Sequence, residues 1–292
     1  MILVTRDLEP DELRKIRLEE LSRLAPIATA SHPRGPSGEQ IGKKYKAVAS
    51  HLWRAQHFKC AFCEHKLQKG YNDVEHYRPK AAADRSPGCA EVHGYWWLAF
   101  TWSNLFFSCP TCNRSYKKTL FPLDRGSVPL QRGEAPPGKE VPLLLDAAEA
   151  NGVEHIEFVF AVVTPTPAAD RKAPGWPLRK HWHPRARKGS HMGRETIRVC
   201  GLDDADHIEI YDDHVQREVR RVATDLEQEI KRKGDVSAAL ERALRLLQPT
   251  MPFVGLSYDA LISLVPAASL AAFGLAWPEP RHVGAPRPRR AR

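Results

Sequence analysis

Apolar positions recur every three or four residues in several stretches of the chain, which is the pattern of helices with one buried face. Residues 11–24 carry this pattern first, and residues 40–57 repeat it just before the first cysteine pair. Residues 203–248 show it twice, with Gly234 between the two runs, and predict a helical hairpin. The apolar stretch 251–277 is predicted to pack against the rest of the protein.

Strand and loop signals are weaker along the chain. Residues 1–5 and 155–163 are short apolar runs and predict strands. Residues 25–39 and 126–141 are rich in Pro and Gly and predict irregular chain. Residues 164–192 are rich in Pro and basic side chains and predict a flexible basic loop.

Two Cys-x-x-Cys pairs are the strongest chemical signal in the sequence. Cys60 with Cys63, and Cys109 with Cys112, each have the spacing of a turn that supplies two thiolates to zinc. Two such pairs predict one structural zinc ion held by four cysteines. One pair alone would fit a redox motif equally well, and two unrelated pairs of buried thiols are the alternative.

Composition narrows the class of protein. The chain has 292 residues and a net charge of +9, which fits a polyanionic partner such as nucleic acid. It has no run of apolar residues long enough to span a membrane, and its first residues do not resemble a signal peptide. Four of six cysteines stand in metal spacing, so we expect a reducing, cytoplasmic setting. Cys89 and Cys200 are interpreted as structural thiols.

Residue types suited to phosphodiester hydrolysis lie between and beside the two cysteine pairs. His76 is a candidate general base, because a neutral imidazole accepts a proton near pH 7. Glu75 offers a hard carboxylate oxygen and Asn113 an amide oxygen, which are ligand types that Mg²⁺ prefers. Asn104 stands just ahead of the second cysteine pair.

The order of these residues resembles that of the HNH endonucleases. The pattern runs from Glu75-His76 through Asn104 to the second cysteine pair and Asn113. The fuller strings VEHYRPK and YWWLAFTWSNLFFSCPTCN are similar to a narrower group, the PtuB-like HNH proteins of Septu- and retron-type anti-phage operons. Asn113 stands where a His often occurs in the family, which leaves the choice between Mg²⁺ and Mn²⁺ open.

This resemblance implies a fold, residue roles and a partner. The fold would be a ββα-metal core, also called a His-Me finger. His76 would be the general base, Asn104 would hold the segment that carries it, and Glu75 and Asn113 would bind the catalytic ion. A separate ATPase subunit of the same operon is also implied. We expect it to dock on residues 203–248 and 251–277, on the assumption that neither segment contributes to the site.

Basic and aromatic residues around the site allow more than one interpretation. Five basic residues are candidates for phosphate contacts: Arg78, Lys80, Arg114, Lys117 and Lys118. Four basic residues of 40–57 either touch phosphate or form a solvated basic face: Lys43, Lys44, Lys46 and Arg54. The aromatic run from Tyr95 to Phe107 either stacks on bases or, as we favour, fills a core beside the metal.

The sequence thus predicts a mainly helical α+β protein with a ββα-metal core and a structural four-cysteine zinc site. Five segments are expected: an N-terminal helical support (1–59), the nuclease core (60–125), a strand and basic-loop extension (126–202), a C-terminal helical region (203–277) and a disordered basic tail (278–292). The expected function is a metal-dependent endonuclease in anti-phage defence, with DNA as the expected substrate. The alternatives are a non-catalytic zinc-stapled nucleic-acid-binding module and, with zinc-free thiols, an oxidoreductase.

Overall fold

The computed structural model of the protein describes residues 2–32, 34–86, 89–91, 93–162 and 179–284. Over these residues, helices predominate and the strands form small two-stranded antiparallel sheets. The mixture of helices and strands that the sequence predicts is therefore confirmed. No helix in the described part of the chain is both long enough and apolar enough to cross a membrane.

The first helix is longer than the sequence pattern suggested. Helix α1 spans Asp11–Ala30 and continues through Pro26 into chain that we expected to be a loop. Leu13, Leu24 and Ala28 are buried along one side of it. The apolar face therefore extends beyond the predicted end, although Pro26 cannot donate a helical hydrogen bond.

The predicted helix at 40–57 is broken into three short pieces. Helix α2 (Gly38–Ile41) ends at Gly42, whose φ of +74° is a left-handed conformation that favours glycine. A 3₁₀ turn (Lys44–Val48) and helix α3 (Ala49–Ala55) follow. The expected apolar face is buried nevertheless: its members are Ile41, Tyr45, Val48 and Leu52.

The N-terminal residues do not form the expected strand. Residues 2–10 have no regular secondary structure. Ile2 is buried in the core, and the main-chain N–H of Val4 donates to the carbonyl of Ala147 at 2.6 Å. Further hydrogen bonds, from Arg6 to the Trp102 and Leu105 carbonyls and from the Trp102 indole to the Asp7 carbonyl, hold the segment without a partner strand.

A two-stranded sheet lies at the centre of the molecule. Strand β1 (Asp73–His76) pairs antiparallel with strand β4 (Leu105–Ser108), and Glu75 is opposite Phe106. A seven-residue helical turn (Thr111–Lys117) follows β4 directly. Strand β1 carries the Glu-His dipeptide, the helical turn carries Asn113, and Asn104 lies immediately before β4. A small sheet of β2 (Ala83–Ser86) and β3 (Cys89–Glu91) lies between β1 and β4 in the sequence.

A long hairpin replaces part of the predicted basic loop. Strand β5 (Ile156–Val162) confirms the predicted strand as far as Val162, and it pairs antiparallel with β6 (Lys180–Ala186). The prediction of a loop was wrong for β6, because its basic and Pro-rich composition obscured its buried residues, which are His181, Trp182 and Pro184. Pro184 is tolerated there because a two-stranded sheet has only edge strands. Residue 163 of the predicted strand and residues 164–178 of the expected loop lie outside the described residues.

The C-terminal part is helical, as expected. Its helices are α4 (His191–Cys200), α5 (Ala205–His214), α6 (Arg220–Arg232), α7 (Val236–Arg245), α8 (Val254–Leu264) and α9 (Ala267–Ala271). Helices α6 and α7 form the predicted hairpin, but Lys233 rather than Gly234 adopts the left-handed conformation after α6. Helix α4 was missed: its first two residues fall in the predicted basic loop (164–192), and no element was assigned to the others.

The predicted disordered tail is ordered in its first part. Residues 280–282 form a 3₁₀ turn, and Val283 is buried. The amide Nδ2 of Asn151 donates to the Val283 carbonyl at 2.9 Å and so ties the turn to the body of the protein. Residues 285–292 lie outside the described residues.

Two apolar clusters meet at the central sheet. Leu105 and Phe107 pack in a cluster with α1, the 3₁₀ turn and α3. Phe106 packs in a larger cluster that contains the four cysteines and reaches from Ile2 to Val283. The alternation along β4 therefore places this strand between the N-terminal and C-terminal halves of the core.

Candidate functional site: a four-thiol centre and an adjacent cleft

The four cysteines of the two pairs form one cluster. The Sγ atoms of Cys60, Cys63, Cys109 and Cys112 all lie within 4.8 Å of one another, and all four residues are buried. The Sγ atoms of Cys63 and Cys109 are 3.9 Å apart. Tetrahedral zinc with Zn–S bonds of about 2.3 Å separates its sulfur ligands by about 3.8 Å. The donor set therefore fits a structural metal ion such as zinc.

Tight main-chain turns at both cysteine pairs bring the four thiols together. After Cys60 the chain reverses through Glu64, whose main-chain N–H donates to the Cys60 carbonyl at 3.1 Å and whose φ is +62°. In the second turn the N–H of Cys112 donates to Cys109 Sγ at 3.3 Å. Hydrogen bonds of this kind favour a thiolate at Cys109.

The electrostatics of the cluster suit a bound cation. Hydrogen bonds from the neighbouring thiols, Cys112 first, hold the pKa of Cys109 far below its usual range. Burial, with the neighbouring thiols, raises the pKa of Cys112. One thiolate is thus favoured while further ones are opposed, and a bound dication is what allows all four to ionise.

The C-terminal helices cover this four-thiol centre. The Nε2 atom of His207, on α5, lies 3.8 Å from Cys112 Sγ, and its Nδ1 lies 2.8 Å from the Gly201 carbonyl. The buried Lys59 ammonium donates to the Met251 carbonyl at 2.8 Å. Segments 203–248 and 251–277 were assumed not to contribute to the site. This assumption was wrong for the four-thiol centre, because both segments contact the chain at the cysteine pairs.

A separate cleft of about 220 Å³ opens beside β1 and the helical turn that follows β4. Its walls include Glu75, His76 and Asn113, so the Glu-His dipeptide and an asparagine far from it in the sequence meet there. The remaining lining residues are Tyr45, Lys46, Asp73, Val74, Pro79, Lys80, Ala81, Ala82, Arg114, Lys118 and Thr119. The four-thiol centre and the cleft share the turn Thr111–Lys117, which carries Cys112 as well as Asn113.

His76 is held in one orientation at the end of β1. Its Nε2 lies 2.9 Å from the Ala99 carbonyl, and its ring packs edge-on against Tyr45. Because a carbonyl only accepts, this contact places the hydrogen on Nε2 and leaves Nδ1 as the nitrogen that can take a proton. Burial, reinforced by the Lys80 ammonium, holds the pKa of His76 well below its usual range. The imidazole is therefore neutral near pH 7.

Glu75 is buried and paired with a buried lysine. The Lys117 ammonium lies 2.5 Å from Glu75 Oε1 and also donates to the His76 carbonyl at 2.9 Å. Only one carboxylate oxygen takes part in this ion pair, so the second oxygen of Glu75 can serve a metal ion.

Asn113 is oriented by Asp73, a residue that the sequence analysis did not single out. The Asn113 amide Nδ2 donates to Asp73 Oδ2 at 3.2 Å, which directs the amide oxygen away from that carboxylate. Arg114 donates two bonds to Asp73, each of 2.7 Å. The signal for Asp73 was its position two residues before Glu75, since alternate residues of a strand share a face.

Asn104 fixes the chain that follows His76. Its Oδ1 accepts the Arg78 N–H at 2.8 Å, and its Nδ2 donates to the carbonyls of Arg78 and Leu98, each at 3.1 Å. Its own carbonyl accepts the N–H of Tyr77 at 2.9 Å. The side chain thus links the end of β1 to the start of β4, while its catalytic role stays a prediction.

Two of the five basic residues expected to contact phosphate are inside the protein. Lys117 is fully buried against Glu75, and Arg78 donates to the buried Glu140 carboxylate at 2.6 Å. Internal carboxylates already satisfy these two cations, so they do not fit a surface role. Lys80, Arg114 and Lys118 do line the cleft.

The aromatic run 95–107 packs inside the protein. Its buried rings are Tyr95, Trp96, Phe100, Trp102, Phe106 and Phe107. Tyr95 also donates to Glu140, at 2.5 Å, and so belongs to the network that holds Arg78. The favoured interpretation, a core beside the metal-type turns rather than a stacking platform, agrees with this burial.

The chain is similar to a protein of known type over part of its length. Septu protein PtuB of Bacillus mycoides (strain KBAB4) is 34% identical over 168 residues. The match covers 54% of this chain and 55% of that protein, so the chain spans about half the length of the relative it matches. This finding supports the resemblance to Septu-type proteins. No family model and no solved structure matches the chain.

Proposed function

We propose that the protein is a metal-dependent HNH endonuclease that hydrolyses phosphodiester bonds of nucleic acid, with the strand pair β1–β4 and the turn Thr111–Lys117 as its ββα-metal core. The observation that carries this proposal is the meeting of Glu75, His76 and Asn113 in one cleft. A protein that only binds nucleic acid has no need of an oriented neutral imidazole beside two hard oxygen donors.

Each proposed site residue has a separate role in hydrolysis. His76 takes the proton of the attacking water on Nδ1, since Nε2 is committed to the Ala99 carbonyl. Glu75 and Asn113 would hold a Mg²⁺ or Mn²⁺ ion, which supplies positive charge to the phosphoryl oxygens and to the leaving group. Asn104 keeps the chain after His76 in place through its bonds to Arg78.

Cations around the cleft suit a phosphate backbone. Lys46 comes from the N-terminal 3₁₀ turn, Lys80 from the chain after β1, and Arg114 and Lys118 from the helical turn Thr111–Lys117 and the residue after it. A strand of nucleic acid lying in the cleft would meet positive charge from three separate segments. We propose DNA as the substrate.

A cleavage assay tests the proposal. Purified protein is incubated with plasmid DNA and with RNA, in Mg²⁺, Mn²⁺ or EDTA, next to a His76→Ala variant. We expect cleavage with a divalent ion, none with EDTA and almost none with the variant. Binding of nucleic acid without any cleavage would identify the protein instead as a zinc-stapled binding module.

We further propose that the protein is the nuclease component of a cytoplasmic anti-phage defence system and acts with a separate ATPase subunit. The similarity to Septu protein PtuB supports this role. The test is co-expression with an ATPase encoded beside the gene, followed by size exclusion and cleavage assays with and without ATP. Two separate peaks, together with full cleavage by the nuclease alone, would contradict it.

A further inference from the structure

The buried Lys117 ammonium connects two neighbouring residues of the cleft. We propose that Lys117 is a positioning residue that fixes the Glu75 carboxylate relative to the main chain of His76 and ties the helical turn carrying Asn113 to strand β1. This inference rests on the proposed nuclease function of the cleft. It gives Lys117 a role that differs from the phosphate contact expected from its sequence position.

The contacts of Lys117 are unusual for a lysine in a basic stretch. Its side chain is 0% exposed, whereas Lys118, the next residue, is exposed and lines the cleft. Lys117 Nζ lies 2.5 Å from Glu75 Oε1 and 2.9 Å from the His76 carbonyl oxygen. One ammonium group therefore bonds to the side chain of the proposed metal ligand and to the backbone of the proposed base.

The location of these bonds indicates what a lysine can do inside the protein at this position. Burying a charge is costly unless it is paired and hydrogen-bonded, and such pairs add little net stability. Lys117 and Asn113 belong to the same helical turn, while Glu75 belongs to β1. The Lys117–Glu75 pair thus sets the separation between the two elements that supply the proposed metal ligands.

The ammonium has a second consequence for the cleft. A positive charge beside Glu75 opposes the approach of a divalent cation to the same carboxylate. A Lys117→Met change should therefore leave Mn²⁺ affinity equal to that of the parent or higher. The rate of cleavage should still fall, by about 10–100-fold, because the ligand and the base are no longer held together.

Neighbouring lysines provide a matched pair for the experiment. Lys117→Met and Lys118→Met are compared with the parent by Mn²⁺ titration without substrate and by single-turnover cleavage of a DNA duplex. A Glu75→Gln variant shows which part of the Mn²⁺ binding belongs to the cleft. We expect Lys117→Met to lose rate at saturating DNA while it keeps Mn²⁺ affinity. Lys118→Met should weaken DNA binding without changing Mn²⁺ affinity.

The outcomes separate the inference from the function on which it rests. A Lys117→Met variant that cleaves at the parental rate, or that loses Mn²⁺ binding together with thermal stability, would overturn the positioning role. If Lys117→Met does not fold, Lys117→Gln is measured in its place against the same criteria. A parent protein that neither cleaves nor binds Mn²⁺ through Glu75 would instead refute the nuclease proposal.

Discussion

The four-thiol centre and the cleft use the same helical turn but are built in opposite ways. The centre has four identical soft donors, all buried and covered by the C-terminal helices. The cleft combines a carboxylate, an imidazole and an amide, opens to solvent and holds a lysine of the protein beside the carboxylate. Closed donor sets are typical of structural metal sites, and sites with open positions are typical of catalytic ones.

The difference shows how one short segment can combine stability with chemistry. Cys112 and Asn113 are consecutive residues of the turn Thr111–Lys117. A metal bound by the thiols would fix the backbone of this turn. Asn113 would then be held in place by the metal bound at Cys112, without adding stability itself. We therefore expect changes at the centre to act through folding, and changes in the cleft to act mainly through rate.

The largest expected effect is that of Cys109→Ser. Structural zinc supplies about 10–16 kcal/mol in small zinc domains, which is as large as the whole stability of a typical domain. Loss of one thiolate should therefore release the metal and unfold at least the segment around both cysteine pairs. Elemental analysis and thermal unfolding measure this. Cys200→Ser, the same change at a buried cysteine outside the cluster, should keep the metal.

This prediction fails if freshly purified parent protein contains no zinc. It fails also if Cys109→Ser unfolds at the same temperature as Cys200→Ser, because the four thiols would then be ordinary buried side chains.

The next effect is on the rate of cleavage. His76→Ala should lower it by a factor of about 10²–10⁴, the usual contribution of a general base. Zinc content should stay at the parental level. Stability should fall by only about 1–3 kcal/mol, because the buried Ala99 carbonyl loses its donor. Measurement of cleavage rate, zinc content and melting temperature on one preparation distinguishes an effect on the cleft from an effect on the four-thiol centre. A variant that cleaves as fast as the parent would remove His76 from the mechanism.

Some features of both sites could be predicted from the sequence because they depend on local spacing. The Cys-x-x-Cys pairs specify two tight turns wherever the chain places them. The order of Glu75, His76, Asn104 and Asn113 defines a set of residue types that suits hydrolysis. These local patterns do not depend on how the remaining chain folds.

Other features depend on long-range contacts and could not be predicted. Lys117 and Lys118 are equivalent in the sequence, yet one pairs with Glu75 inside the protein and the other lines the cleft. Arg78 meets Glu140 from a segment without regular secondary structure. The contact of His207 with Cys112 depends on the packing of α5 against the centre. In each case the partner is far away in the chain.

A smaller effect concerns the stability contributed by the pair in the cleft. Glu75→Ala leaves the Lys117 ammonium buried without its carboxylate, which should cost about 3–5 kcal/mol. The double variant Glu75→Ala/Lys117→Met removes both charges and should recover most of that loss without recovering cleavage. Chemical denaturation of the parent, both single variants and the double variant measures the coupling. Strictly additive losses would show that the two groups are not energetically linked.

The smallest expected effect is at the rim of the cleft. Lys46 lines it from the N-terminal 3₁₀ turn, whereas Lys118 lines it from the residue that follows the turn Thr111–Lys117. If Lys46 contacts a phosphate, Lys46→Ala should weaken DNA binding a few-fold and lower the slope of log affinity against log salt by about one. Lys231→Ala, at an exposed lysine of α6, is the matched control and should leave the slope unchanged. An equal effect of the two substitutions would mean that DNA responds to the net charge of the protein and not to this side of the cleft.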